Sequence, residues 1–406
     1  MRKIFILTCL IIVSCTHQDS TESTVTSTKK GQTISVDIDA AEPIYMSEYF
    51  SDIQYSYLKS PEDRPIGRID KILFNDTYVA LYDEPRGSIW IYDTDMAFVN
   101  ELRIPNGRGP GELENIFDII LSEDHKIHAM GLFKIVVYDI NGTLESEIVF
   151  NFSSDTFTLA ESGGYFVYTS MNPNLGRLDE QKEEHTLISI DDNGNPTNAY
   201  LPIDDGKELI SFSVVNNFPT YNDEQLFFAH LYDTVYSLTQ NSLTPKYQLD
   251  YGKYSIPPEV FERRYNYSPE KSFSTEFMNE EIHQKGYIAY LGYFNETDRY
   301  LHFGIGIGRS TNYTVIYDKQ SKTTRVADDK IINDIDYGLG SYFYEAYDNK
   351  LYTVINANDL LTHLNDIYEN EPKKYQSSKT NRIHELVQLI DDKRNPILVT
   401  LYFKRN

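Results

Sequence analysis

Gly107-Arg108-Gly109-Pro110-Gly111-Glu112 is the stretch of this chain whose residue types look most like a ligand cradle. Glycines around a cation suggest phosphate binding, but the motif fits neither established pattern. Glu112 stands where the dinucleotide fingerprint needs its third glycine, and no Lys-Ser/Thr pair follows, as a P-loop requires. Two readings stay open. In one, the glycines make a tight crossing between strands, near a central channel, and Arg108 and Glu112 form a structural ion pair. In the other, both side chains face a ligand. The ion pair is the expectation.

His302-Phe303-Gly304-Ile305-Gly306-Ile307-Gly308-Arg309 is the second candidate. Its glycines recur at period two, so they share one face of a strand. A row of this kind marks the close approach of another backbone or of a ligand. Packing against a neighbouring sheet or helix is expected; a smooth ligand floor flanked by His302 and Arg309 is the alternative.

Other constellations point away from chemistry. His125 and His128 are three apart and flank a hairpin, where they would point to opposite faces, so a surface turn is expected rather than a metal site. Asp191-Asp192-Asn193-Gly194-Asn195 faintly resembles a calcium loop, but Pro196 occupies the position that needs glycine, so it reads as a hairpin turn. No Cys follows Cys15, which excludes thiolate metal sites and Cys nucleophiles. No Gly-x-Ser-x-Gly elbow is present. No metal and no cofactor are expected. With 61 acidic residues, chance carboxylate pairs are too common to single out a catalytic one. The 33 tyrosines suit sugar stacking and strand packing equally.

The elements that would position these residues are short strands. An apolar residue followed by Asp recurs at Tyr92-Asp93, Tyr138-Asp139, Ile190-Asp191, Tyr232-Asp233, Tyr317-Asp318 and Tyr347-Asp348, among runs such as Ser88–Tyr92 and Lys134–Tyr138. A repeat of about 40–50 residues holding four short strands is the signature of a propeller blade. Asn141-Gly142 and Asn193-Gly194 supply hairpin turns. The expected fold is therefore all-β, a six-bladed β-propeller over residues 32–406. Its rhythm is broken near residues 257–286, where Pro257-Pro258-Glu259 and the spacing of apolar residues predict a short helical insertion. The sixth repeat shows only three strands, separated by a polar excursion before Pro396–Phe403. An N-terminal strand, Ile34–Ile38 or Ile53–Leu58, is expected to supply the fourth and close the ring.

Gly107–Glu112 after the first hairpin, Tyr317-Asp318-Lys319 after the insertion, Asn395-Pro396-Ile397-Leu398-Val399 and the closing Phe403-Lys404 together resemble the six-bladed β-propeller lipoproteins of Bacteroidetes, relatives of NHL-type propellers. The resemblance spans roughly residues 34–406. It implies fold and location more than activity, since members generally lack an assigned one. Asp19-Ser20-Thr21 and Asp233-Thr234-Val235 also look like the short O-glycosylation acceptors of that group, and only the first is expected to be exposed.

The N-terminus reads as an address. Met1-Arg2-Lys3 and the apolar run Ile4–Val13 form a signal peptide over residues 1–14, too short to span a bilayer, which takes about 20 residues. Ile12-Val13-Ser14-Cys15 resembles a lipobox, so Cys15 is the expected lipidation site, followed to residue 31 by a Ser/Thr-rich tether. The formal charge of −24 argues against nucleic acid and against docking on anionic lipid. The expectation is an outer-membrane lipoprotein of the cell envelope. It would bind a glycan, peptide or partner protein rather than catalyse a reaction. A propeller-fold glycan lyase or hydrolase with an acidic channel is the alternative.

Overall fold

Aspartate-capped hairpins divide this chain into sheets. Asp93, Asp139 and Asp318 each end the third strand of a sheet and Asp191 directly follows one, and each Oδ1 accepts backbone N–H groups from the turn that follows, such as Asn141 and Thr143 on Asp139. A carboxylate that gathers the free N–H groups of a tight turn replaces the pairing the ladder has lost. The Asp191 turn is thus the hairpin its sequence predicted. The recurring pair is less regular than it looks, because Asp233 precedes a third strand and Asp348 sits in the turn between a first and a second.

The computed structural model describes residues 31–404 except 62, 153, 170–184, 204–206, 208–215, 268–272, 308–312 and 341–344. Its strands fall into six separate sheets; four run in sequence order from first strand to last, and the fourth and sixth each carry an N-terminal strand at the far edge. The first strands are Lys71–Phe74, Asp118–Leu121, Thr156–Leu159, Thr220–Tyr221, Tyr290–Glu296 and Glu345–Tyr347. Lys71–Phe74 lies against both Asp118–Leu121 and Glu345–Tyr347, Asp118–Leu121 against Thr156–Leu159, and Tyr290–Glu296 against both Thr220–Tyr221 and Glu345–Tyr347. Thr158 Oγ1 donates to Gln225 Oε1 at 3.0 Å, joining the third sheet to the fourth. The molecule is an all-β propeller, with its core in the seams between sheets. Ile89, Ile91, Ile119, Ile127 and Val136, for example, form one buried cluster across the first and second.

The two N-terminal strand candidates do different jobs. Phe50–Tyr57 pairs antiparallel with Ile397–Phe403 and becomes the outermost strand of the sixth sheet. Gln32–Ser35 instead adds parallel to Ser242–Asp250, giving the fourth sheet a fifth strand. Closure therefore falls to the later segment, where Phe50 and Ile53 enter one core with Leu351, Val399 and Leu401. The Ile34–Ile38 alternative is corrected: Ile34 and Val36 bury instead beside Tyr247 and Leu249 of the fourth sheet.

The predicted helical insertion is present as Pro258–Glu262, Phe273–Phe277 and the wider turn Met278–His283, which bury Val260, Phe277, Met278 and Ile282 together. The polar excursion in the sixth sheet, to which the sequence assigned no element, is helical. It holds the helices Ala357–Asn370, Pro372–Tyr375 and Asn381–Val387. Asn356 caps the first by accepting from Asn358 N, and Leu360, Leu364 and Ile367 give it a buried stripe at helical spacing. No described helix is long and apolar enough to cross a membrane.

Candidate functional site in the central channel

The first strands enclose a cavity of about 470 Å³ whose wall includes Lys71, Ile120, Thr158, Asn216, Tyr221 and Glu345. Lys71 and Asp118 meet where their first strands open, and Phe74 and Tyr347 meet where theirs close, so opening residues share one level and closing residues another. Phe74, Glu123, Tyr221, Asp223, Tyr347 and Asn349 form the rim at the closing level. Phe74 and Tyr347 stack there with ring centres 5.0 Å apart and planes 12° from parallel.

At the opening level the wall is polar and tightly bonded. Lys71 Nζ donates to Asp118 Oδ1 at 2.7 Å and to Ile119 O at 3.0 Å. Asp118 also accepts from its neighbour Ile119 N and, across the next seam, from Phe157 N at 3.1 Å. Burial pushes the Asp118 carboxyl above its ordinary range, against the pull of Lys71. Such a pair contributes register more than net stability, because desolvation offsets the attraction. Asp118 is thus occupied by the first, second and third sheets.

Glu345 is placed differently. Asn216 Nδ2 donates to its Oε2 at 3.2 Å, and the side chain is walled by protein while still touching the lumen. Enclosure raises its carboxyl to about 7, with Lys71 and Asn216 opposing the shift. A carboxyl poised near neutrality in a cavity is a recognised mark of a functional group. Farther round the rim, Glu296 accepts from Tyr247 at 2.7 Å, Lys246 at 2.9 Å and Lys319 at 3.0 Å, and Lys319 Nζ also lies 4.3 Å above the Tyr221 ring.

The residues singled out from sequence lie elsewhere. Arg108 does not pair with Glu112. Its Nε meets Glu114 Oε1 at 2.8 Å, and the Arg108 side chain is 84% exposed. Glu112 folds back instead: its Oε2 accepts from Gly109 N at 2.8 Å, and its carboxylate fills the space where a Cβ on Gly107 would go. Gly111 (φ 75°) has the Tyr138 hydroxyl in its own Cβ space, and its carbonyl accepts from that hydroxyl. The tight crossing is therefore real and the expected ion pair is not. The loop lies over the outer half of the second sheet, where Lys134 donates to Gly109 O and Gly111 N donates to Glu147, rather than at the channel.

His302 is 3% exposed in the second strand of the fifth sheet, and burial drives its pKa down to about 3. Gly304 and Gly306 pair within the same sheet, opposite Gly292 and Tyr290. Arg309 and Cys15 lie outside the described residues, as does Asp19-Ser20-Thr21. His125 occupies the expected turn at φ 62°, but His128 is a correction: it is buried, with Nδ1 2.9 Å from the Tyr165 hydroxyl. Thr234 is 8% exposed, so the fold covers the second acceptor pattern. Among the described residues, no three His, Cys, Asp or Glu side chains are grouped to hold a metal.

Lys71, Asp118, Asn216 and Glu345 drew no notice as a group in the sequence, because they are far apart along the chain. A signal was there: Lys71, Asp118, Thr156 and Glu345 each open a first strand with a polar residue. Superposing the repeats by their first strands would have collected them.

A family model described as Domain of unknown function (DUF4934) matches residues 31–402. A protein from Bacteroides fragilis whose name describes it as exported is 16% identical, with a TM-score of 0.72 over 92% of this chain and 100% of that one. A member of the DUF4221 family from Bacteroides vulgatus is 11% identical, with a TM-score of 0.45 over 87% and 97% of the two chains. Virginiamycin B lyase from Staphylococcus aureus is 14% identical, with a TM-score of 0.38 over 74% and 80%. No curated protein matches the chain.

Proposed function

The chain belongs to the family described as Domain of unknown function (DUF4934), and we propose that it is a lipid-anchored, six-bladed propeller of the cell envelope that binds its ligand in the central channel. The ligand class is a glycan, a peptide or a segment of a partner protein, bound without chemical conversion. The observation that carries this reading is the channel itself: about 470 Å³, aromatic at the rim and polar at the far level. The six sheets, the contacts between neighbouring first strands and the strand exchange between the termini support a closed ring of six blades. The signal-like N-terminus with Cys15 supports the anchor and an outer-membrane location, and the exported relative's name agrees with export.

One observation favours the enzymatic alternative, a glycan lyase or hydrolase. A carboxyl raised to about 7, as in Glu345, suits a general acid. A glycosidase needs a second carboxyl free to act. Asp118, the other acid at that level, is held by Lys71 and two backbone N–H groups. Binding is the stronger reading.

The test is binding of the chain lacking residues 1–15 to glycan and peptide arrays, repeated after filling the channel. Thr158→Trp, with the melting temperature unchanged, should abolish the binding; Thr220→Trp at the channel wall serves if the first variant does not fold. Undiminished binding to a folded, filled channel would overturn the reading, and release of shortened glycans would favour the enzyme. Cys15→Ala should move the full chain out of the membrane fraction; unchanged fractionation would remove the lipid anchor from the proposal.

A further inference from the structure

The wall of the channel carries a charge imbalance that narrows the ligand class, and this step rests on the channel-binding reading above. Two of the five acids lining the cavity are neutralised inside the protein. Glu296 is held by Lys246 and Lys319, and Asp348 by Lys350 at 2.6 Å. Lys71, the cation of the wall, is itself matched by Asp118. Glu123, Asp223 and Glu345 also line the cavity, and among the described residues none of them forms an ion pair with Lys, Arg or His. The cavity wall therefore carries more carboxyl than cation, with Glu123 and Asp223 exposed at the mouth and Glu345 half-buried, where a charge weighs more than on an open surface.

The aromatic rim suits the same charge. Phe74, Tyr221 and Tyr347 line the mouth, and ring faces attract ammonium groups. The protein already uses this rim so: Lys319 Nζ lies 4.3 Å and Lys246 Nζ 5.5 Å from the centre of the Tyr221 ring. Among the described residues that line the cavity, an anionic ligand would meet Glu345 and Glu123 without a free cation to answer it. A neutral ligand would leave the imbalance in place.

We propose that the channel takes a ligand bearing an organic ammonium group, with Glu345 as its counter-ion and the rim aromatics packed around it. The shared chemistry is a primary amine, which an amino sugar or a peptide amino terminus can supply. Glu345 acts as the specificity-determining residue, because its carboxyl lines the lumen and Asn216 holds it in place through Oε2.

Two matched pairs of probes test this by titration calorimetry on the chain lacking residues 1–15: glucosamine against glucose, and triglycine amide against its acetylated form. The amine member of one pair should bind at least tenfold more tightly than its neutral partner, and the responding pair identifies the source. Glu345→Gln should remove that preference, while Asp359→Asn, on the exposed face of the 357–370 helix, should leave it intact. If Glu345→Gln fails to fold, Glu123→Gln at the rim should reduce the preference instead. Equal binding of amine and neutral probes in the channel would overturn the ammonium inference and leave the channel reading standing. Amine binding that Asp359→Asn weakens as much as Glu345→Gln would mark general attraction to an acidic surface and overturn it as well. Binding that survives Thr158→Trp would sink both.

Discussion

Asn216 donates to Glu345 across 3.2 Å although Asn216 leads into the fourth sheet and Glu345 opens the sixth, with the fifth between them in the ring. A bond between sheets that are not neighbours has to reach across the channel wall, so it fixes the lumen's shape at that level. It also tethers a carboxyl that burial has already raised to about 7.

That pairing has a pH consequence. A carboxyl raised in the folded state fits the fold better protonated than ionised. Its contribution is fully present below the ordinary carboxylate range and is lost as pH rises through about 7. Glu345→Gln keeps the shape without the charge. The variant should match the parent at about pH 5 and exceed it at about pH 8 by on the order of 1–3 kcal/mol, allowing for screening at a side chain that touches the lumen. Chemical denaturation at both values measures the difference; a gap that does not change with pH would place the Glu345 titration elsewhere.

The glycine loop separates two residues that the sequence had joined. Arg108 is exposed and, among the described residues, pairs only with the exposed Glu114, so Arg108→Ala should change stability by less than about 0.5 kcal/mol. Glu112→Ala removes the acceptor of Gly109 N and the carboxylate packed over Gly107, and should cost about 1–2 kcal/mol. The double variant should be additive to within about 0.5 kcal/mol. Strong coupling would restore the Arg108–Glu112 pair.

Stepwise N-terminal removal distinguishes the two roles of the early strands. Loss of residues 16–30 should leave the melting temperature nearly unchanged. Loss of residues 16–36 takes away Ile34 and Val36, both buried in the fourth sheet, and should cost roughly 3–5 kcal/mol. Extending the loss to residue 60 also strips the outer strand of the sixth sheet with Phe50 and Ile53, and should cost several kcal/mol more. If the second and third truncations melt together, Phe50–Tyr57 does not close the ring.

What the sequence disclosed follows from what is local in it. Strands, turns and the Pro257 helix entry depend on neighbours within a few residues, and these were legible. The 357–387 helices were missed because Leu360, Leu364 and Ile367 are spread through mostly polar residues, so their stripe is sparse. The choice between Ile34–Ile38 and Ile53–Leu58 depended on partners more than 200 residues away. His128 looked exposed because it is polar and close to a turn, yet Tyr165 of the next sheet covers it. The channel was least legible of all, since Lys71, Asp118, Asn216 and Glu345 meet only after the ring has formed.

The claim that the channel is the binding site can be tested with a single reporter. The chain lacking residues 1–15 contains no cysteine, so Thr220→Cys at the channel wall and Asp359→Cys on the distant helix each introduce one thiol. Maleimide labelling is then timed with and without a saturating amine probe, glucosamine or triglycine amide. The account predicts that labelling at position 220 slows at least tenfold while labelling at 359 is unchanged. Equal labelling rates at position 220 with the probe bound would contradict it.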